Sequence, residues 1–397
     1  MRSTVAVVGA GIVGTTIAYE LRKRGASVVL VDRDEPGAGC SFGNSGAISP
    51  GSVAPLALPG VLASVPGMLL DADSPLRVPL AYLPRALPWL VRFVAAARPS
   101  TVASAAARLH ALHADAVARH VALAREVGVP ELVMVRGHLH VYRDEAALAK
   151  DATGWRLRRE HGVSVDRVDR AGIVALEPAL PARYTVGMLL ADHGTVRQPF
   201  RYVQAIARAF AQRGGEIRRA DATALAREAG RWSLATSAGP VACDAVVVAA
   251  GAWSRSLLDP HGLRLPLETQ RGYHVEYDGE PPVTRTVVLA ERKAFVTPME
   301  TGLRVGGTVE IAGLRAPPDW RRADALARAA RETFPTLAAM PSRRWMGHRP
   351  CLPDSVPFIG AVPGQAGLFA AVGHGHLGLT DAPMTAQRIA EALDASP

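Results

Sequence analysis

The sequence predicts an α/β protein in two interleaved parts: a doubly wound domain with a parallel sheet, and an α+β domain with a mixed or antiparallel sheet. Three observations carry this expectation. A strand, a glycine turn, a helix and a second strand follow one another within the first 32 residues. A further buried strand ends in small residues at 244–251. Between and beyond these units lie alternating, strand-like runs at 132–142, 261–277 and 283–311.

The 397 residues suit two domains, or one large domain with insertions, at about 100–200 residues per domain. With 49% hydrophobic and 20% charged residues, the composition is that of a globular chain rather than a disordered one. The formal charge of +9 comes from dispersed arginines without a basic run or a nucleic-acid signature, so no nucleic-acid partner is expected. Three widely spaced cysteines, Cys40, Cys243 and Cys351, with no CxxC, read as free thiols in a reducing compartment. His138 and His140 have no acidic or cysteine companions, and no metal site is expected. The apolar N-terminus is followed by Glu20, Arg22, Lys23 and Arg24 where a cleavage region would lie, which argues against a signal peptide. The uncharged run from Pro36 to Leu70 is broken by Pro50, Pro55, Pro59 and Pro66 and cannot sustain a spanning helix. A cytoplasmic protein is expected.

Thr4 to Val8 is a β-branched run of the kind buried in parallel sheets. It enters Gly9-Ala10-Gly11-Ile12-Val13-Gly14, a GxGxxG, and a helix to about Arg24 closed by Gly25. Ser27 to Val31 is the second strand, ending in Asp32-Arg33. Gly9 permits the tight turn, Gly11 lets backbone approach a pyrophosphate, and Gly14 lets helix and strand pack closely. The helix start offers free N–H donors to phosphate, and Asp32 can accept hydrogen bonds from ribose hydroxyls. This Rossmann-like unit leaves NAD and FAD both open.

Two later segments favour FAD. Asp244 to Ser254 (DAVVVAAGAWS) reads as a buried strand whose small end, Ala250-Gly251 before Trp253, lets backbone lie against a cofactor. Gly373-His374-Gly375-His376-Leu377-Gly378-Leu379-Thr380 is a second glycine-rich loop, opening a helix to about Leu393. Such a helix end stabilises negative charge on a reduced flavin. With VDR, SFGNSGAISPG (41–51) and GHRPCLPDSVPFIG (347–360) added in order, the chain resembles the D-amino-acid oxidase superfamily of flavoproteins. Within it, the chain is most similar to the bacterial D-amino-acid dehydrogenase small-subunit group.

The resemblance implies a discontinuous FAD domain of the glutathione-reductase type. It places Ser41, Ser45, Gly46 and Ala47 along the flavin and its ribityl chain, the backbone near Ala222 by the adenine, and Gly375 to Thr380 along the flavin ring. Gly347 stands where some sarcosine-oxidising relatives carry a flavin-tethering cysteine, so non-covalent FAD is implied. Gly43, Ser45 and Ala47 depart from the expected SFANAGQIS, and His348 replaces an apolar residue before the arginine.

Arg349 of the GHRP segment is implied to hold a substrate carboxylate, and a guanidinium suits this because it makes two parallel charge-assisted hydrogen bonds. Tyr273, in the alternating run RGYHVEY, is a candidate to donate its hydroxyl to the same carboxylate or to serve only in packing, with His274 facing the other way. His348, His374 and His376 raise the question of a general base; His348 and His376 are candidate site residues, and His376 is read as a wall of the site whose carbonyl meets the substrate amine. No general base is implied, because the α-hydrogen leaves as a hydride to the flavin once the amine is neutral.

Residues 80–97 look amphipathic, with Arg85, Trp89 and Arg92 on one face and Leu83, Leu87, Leu90 and Val94 largely opposite. Packing against the substrate domain is the favoured reading, with peripheral attachment to the inner face of the cytoplasmic membrane as the alternative. An Ala-rich helical stretch, 101–126, follows. The expected division is 1–60, 186–260 and 335–397 for the FAD domain, and 61–185 and 261–334 for the substrate domain. The expected function is FAD-dependent oxidation of a small amino acid, of D-configuration by resemblance, with D-proline or a hydroxy-D-proline a contender. The product is an imino acid that becomes a 2-oxo acid or stays a cyclic imine. The electron acceptor is a quinone, an electron-transfer protein or oxygen. The alternatives are a glycine- or sarcosine-type oxidase, a flavin-bearing electron-relay subunit, and an NAD-dependent dehydrogenase.

Overall fold

The computed structural model describes residues 4–59, 76–228 and 230–395. The end of the proline-broken run, including Pro66, lies outside the described residues.

Thr4–Val8 pairs in parallel with both Ser27–Asp32 and Ala245–Val248 at the centre of a six-stranded sheet. Across that sheet the order is Glu216–Arg219, Ser27–Asp32, Thr4–Val8, Ala245–Val248, Leu368–Val372 and Phe358–Ala361, the last strand antiparallel. The central strands are apolar at nearly every position because both faces are covered. On one face pack the helices Ile12–Lys23, Pro199–Gln212 and Gly378–Asp394, contributing Ile17, Ile206 and Ile389 to the core. On the other, Trp232 and Leu234 of a three-stranded antiparallel sheet meet Val8, Val31 and Val248. The Rossmann-like domain is thus assembled from the first strand, a middle segment and the C-terminus.

The second domain is a nine-stranded mixed sheet. Ser342–Cys351 forms its edge beside Glu268–Asp278, then Gly302–Glu310, Ala294–Pro298, Thr286–Leu289, His138–Tyr142, Val186–Leu190 and Asp166–Val168. Most pairs are antiparallel, but Thr286–Leu289 runs parallel to His138–Tyr142 and the short strand Leu76–Arg77 parallel to Gly302–Glu310. Helix Arg321–Thr333 covers one face, packing Leu326 and Ala330 on Tyr273, Val275 and Val305. The opposite face turns toward the loop at 42–44: Arg304 donates to the carbonyls of Phe42 and Asn44, and His274 Nδ1 lies 3.1 Å from the Gly43 carbonyl. A small sheet of Ala47–Ile48, Gly194–Val196 and Val133–Val135 lies between the domains.

Several elements differ from expectation. Ser342–Cys351 and Val186–Leu190 lie in segments assigned to the FAD domain but pair in the large sheet. Helix Ala116–Glu126, from a substrate-domain segment, buries Ala116, Leu123 and Ala124 in the core of the first domain. The 101–126 stretch is two helices, Pro99–His113 and Ala116–Glu126, interrupted at Ala114-Asp115. In helix Leu83–Ala96, Trp89 turns inward, donating to the Cys351 carbonyl and stacking on Phe93, while Arg85 and Arg92 stay outside beside Leu83, Leu87 and Val91. The indole has an apolar contact and a buried acceptor there, which the arginines cannot use without losing water. Among the described residues, no helix is long and apolar enough to cross a membrane.

Candidate active site

The first glycine turn is built by close approach. Gly9 has φ +107, and a methyl group there would lie 2.4 Å from the Ala249 carbonyl oxygen. A methyl on Gly14 would lie 1.8 Å from the Gly9 oxygen, so the helix starts directly against the strand end. Gly11 caps helix Ile12–Lys23 without a side-chain cap of its own. Ser41 reaches this end, its hydroxyl accepting the Ile12 N–H at 2.9 Å. The Asp32 carboxylate accepts the N–H of Ala10 at 2.6 Å and of Asp34 at 3.0 Å, fixing it at the end of its strand. Arg33 lies over the Trp253 ring, 4.3 Å from its centroid, and Trp253 follows Ala250-Gly251 at the end of the central strand. Ala222 begins the three-stranded sheet, just after Ala220 N–H meets the Asp32 carbonyl.

The C-terminal glycine loop meets this turn. A methyl on Gly378 would stand 3.6 Å from Val13 of the first helix, so the two helix starts converge. Thr380 Oγ donates to the Ala47 carbonyl at 3.3 Å and accepts the Ser49 N–H at 3.1 Å. This ties the 41–51 loop to the second helix. Gly46, at φ +76, receives the Asn44 side chain on its N–H and gives its carbonyl to Val196. A methyl on Gly306 would come 3.9 Å from Ser45, which faces the large sheet. Leu377 and Leu379 are buried, and Gly375 donates to the Pro350 carbonyl at 2.7 Å.

Arg349, near the end of strand Ser342–Cys351, lies across Gly272 of the neighbouring strand: a methyl there would be 2.1 Å from the guanidinium carbon. Its Nη1 donates to the Thr308 carbonyl at 2.8 Å and its Nη2 to the Gly307 carbonyl at 3.5 Å. Those carbonyls come from a bulge, where the register with 271–273 shifts and Thr308 takes φ +58. A β-branched residue in that region is strained, and the strain turns a carbonyl toward the arginine. A guanidinium has five N–H donors, so three remain after these two bonds. Among the described residues no carboxylate pairs with Arg349.

Burial lowers the Arg349 pKa below the ordinary guanidinium value, while the nearby Cys40 and Cys351 thiols act the other way. The group stays a cation throughout the physiological range. His376 lies close enough to Arg349 to feel its charge; burial first, then Arg349, depresses its imidazole to about 4. Each keeps accessible surface: His376 is exposed, and Arg349 and Cys40 are half-buried.

Tyr273 and His348 do not join this group. Strand alternation sends Tyr273 into the core beneath helix Arg321–Thr333, where its hydroxyl donates to Glu310 and accepts the Asp319 N–H. Burial and Glu310 push that phenol up to about 12. His348 turns to the Tyr273 side, with Thr269 Oγ 3.0 Å from its Nδ1 and Trp253 edge-on. His274 faces as expected, opposite Tyr273, and stacks on Trp345, 5.1 Å between centroids. Sequence reading missed Gly272, the Thr308 bulge and Trp345. The indole fills the space above Gly347 and beneath Gly43, where methyl groups would lie 2.0 and 2.1 Å from the ring. That contact accounts for glycine at 43, one of the departures from the related motif. His138 bonds His193 and the Gly194 carbonyl, and no group of His, Cys, Asp or Glu among the described residues could hold a metal.

The family described as FAD dependent oxidoreductase matches residues 4–392. A D-amino-acid oxidase of Bradyrhizobium diazoefficiens is 39% identical over 398 residues, covering 98% of this chain and 94% of that protein. A D-amino acid dehydrogenase of Phenylobacterium zucineum is 33% identical, covering 98% and 93%. Among solved structures, glycine oxidase from Geobacillus kaustophilus superposes with a TM-score of 0.75 at 21% identity, covering 100% of this chain and 95% of that one. L-proline dehydrogenase from P. horikoshii gives 0.75 at 18% identity, covering 100% and 94%. Likeness at those identities speaks to the fold. The glycine-built cradle, the converging helix starts and these matches agree: the chain belongs to the family of FAD-dependent oxidoreductases and uses FAD as its cofactor.

Proposed function

We propose that this chain oxidises the Cα–N bond of a small D-amino acid. The observation that carries the proposal is Arg349, a half-buried guanidinium with three free donors and no carboxylate partner among the described residues. A half-buried cation lacking a counter-ion gives up part of its hydration, and an anion that arrives to meet it offsets that cost. A small acid supplies that anion, and the D-amino-acid oxidase and dehydrogenase relatives support the substrate class.

FAD supplies, when bound, the acceptor for a hydride leaving the α-carbon. Gly9 to Gly14, Asp32, Arg33, Ser41, Ser45 to Ala47, Ala222, Ala250, Gly251, Trp253 and Gly375 to Thr380 are the residues proposed to hold it. Arg349 grips the carboxylate in a bidentate pair and thereby fixes the α-carbon. The His376 carbonyl accepts an N–H of the amine. His274 and His376, held to about 3 and about 4, are neutral and weakly basic at pH 7. Neither is suited to strip a proton from the substrate, so the amine must arrive neutral. The imino acid then hydrolyses in water, or persists where it is cyclic. The electrons pass on to a quinone, an electron-transfer protein or oxygen. The outward row Leu83, Leu87 and Val91, flanked by Arg85 and Arg92, supports a membrane-surface location.

The test is anaerobic. The yellow protein is mixed with D-alanine, D-proline, a hydroxy-D-proline, their L-enantiomers, glycine and sarcosine, and the flavin band is followed. Bleaching by D-amino acids is the expected result. Bleaching by glycine or sarcosine alone would move the activity to that class. No bleaching by any would leave an electron-relay subunit.

A further inference from the structure

We propose that Asp381 and His113 set the redox potential of the flavin by holding a carboxylate charge in the helix turn that faces it. The inference rests on the assignment of Gly375–Thr380 to the flavin ring.

Asp381 follows directly on Thr380, in the first turn of helix Gly378–Asp394. Its side chain is 1% exposed, and Oδ1 lies 2.9 Å from Nε2 of His113, which is fully buried. The approach is off the line of a hydrogen bond. Neither carboxylate oxygen of Asp381, and neither ring nitrogen of His113, has a hydrogen-bond partner among the described residues. The two groups face each other at ion-pair distance.

A neutral, apolar pair of this volume would pack here without the desolvation that buried ions incur. Each group sits at a helix end whose dipole complements the charge of its side-chain type. Asp381 occupies the positive start of its helix, and His113 is the last residue of Pro99–His113, at the negative end. The groups around the pair are His374, His376, His120 and, farther off, Arg349. Burial holds the three imidazoles neutral, with the charge of Asp381 opposing that shift in each. His374 is further occupied by Thr385, 3.0 Å away, and His120 by the Leu379 carbonyl at 2.7 Å. Asp381 is the acidic side chain in the first turn of this helix.

A hydride brings one proton and two electrons, so its transfer leaves the flavin with one more negative charge. The helix start favours that charge, and the Asp381 carboxylate within its first turn opposes it. The balance lowers the midpoint potential and so favours passing the electrons to the acceptor. His113 limits the opposition by neutralising part of the carboxylate field.

The experiment measures the midpoint potential of the purified, flavin-loaded protein by anaerobic equilibration with reference dyes. Asp381→Asn keeps the shape and removes the charge. It is expected to shift the reduction equilibrium at least tenfold toward the reduced form, about 30 mV for a two-electron couple. A shift under threefold, or one in the other direction, overturns the proposal. Should that variant fail to load flavin, His113→Gln tests the same pair with opposite sign: the potential must fall, and no change or a rise overturns it. Thr380→Val separates the two readings. If it leaves flavin affinity and spectrum unaltered, the placement of the turn is wrong. If it alters them while Asp381→Asn leaves the potential unchanged, the charge proposal alone fails.

Discussion

Gly272→Ala should damage substrate binding while leaving the fold nearly untouched. The residue sits within strand Glu268–Asp278 and is absent from the positive-φ residues, so alanine fits its backbone. Its new methyl would stand 2.1 Å from Cζ and Nη2 of Arg349 and 2.6 Å from Nε. Those atoms are the far end of a flexible side chain, and the guanidinium can swing away. Stability should change by less than about 1 kcal/mol, since alanine also removes some of glycine's unfolded-state entropy. The displaced guanidinium, however, loses its anchoring on the Thr308 and Gly307 carbonyls and with it its fixed orientation. Losing one charge-assisted contact costs roughly 1.5–3 kcal/mol, which raises KM for the amino acid about 10–150-fold. Steady-state kinetics with a dye acceptor, beside urea melts, read both quantities. Wild-type KM in a folded, yellow Gly272→Ala protein would refute the placement of Arg349 at the substrate.

Arg349→Ala should raise KM by at least as much, and Arg349→Lys should rescue little, because an ammonium lacks the planar fork; full rescue by lysine would argue against bidentate binding. Gly14→Ala should purify colourless or unfolded, since its methyl would lie 1.8 Å from the backbone oxygen of Gly9, which cannot move aside; a fully yellow variant would contradict the cradle. If the amine must be neutral and no histidine serves as base, kcat/KM should climb with pH through the amine's own titration; an enzyme group titrating between pH 6 and 7 would speak against it. His138 ionises at about 4 in the folded chain against 6.5 free, so its folded pKa is depressed. Its contribution, about 3 kcal/mol, is present above pH 6.5 and lost as pH falls toward 4. His138→Gln should therefore lose less stability between pH 7 and 4.5, and an equal loss would refute this.

Local signals made the nucleotide half of the molecule legible. The glycine turn, the strand runs on either side and Asp32 lie within 32 residues, and their geometry follows from local sterics. The surrounding motif singled out Arg349, which lies across Gly272 with no carboxylate partner among the described residues. Tyr273 was not, because alternation tells which residues share a face but not which face meets the cofactor. That choice is made by helix Arg321–Thr333, about fifty residues away, which takes the Tyr273 side as its packing surface. Domain boundaries failed for a similar reason: Ser342–Cys351 reads like any edge strand, and its ten-residue register with Glu268–Asp278 is a tertiary fact.

What the sequence hides most thoroughly is a residue whose importance lies in having no side chain. Gly272 matters through Arg349, and Gly43 and Gly347 matter through Trp345. Each pair is separated in sequence or, for Gly347, masked as an ordinary strand glycine. A chemical inventory of side chains passes over them. The same device recurs at Gly9 and Gly14, where a motif makes it visible because both partners are local. Glycine within a well-paired strand is costly in entropy and offers nothing to pack. Its presence at 272 and 347, on two adjacent strands and one sheet face, therefore points to large side chains lying flat across that face. An arginine and a tryptophan are the two that do, and they belong to the same strand two turns of the pleat apart.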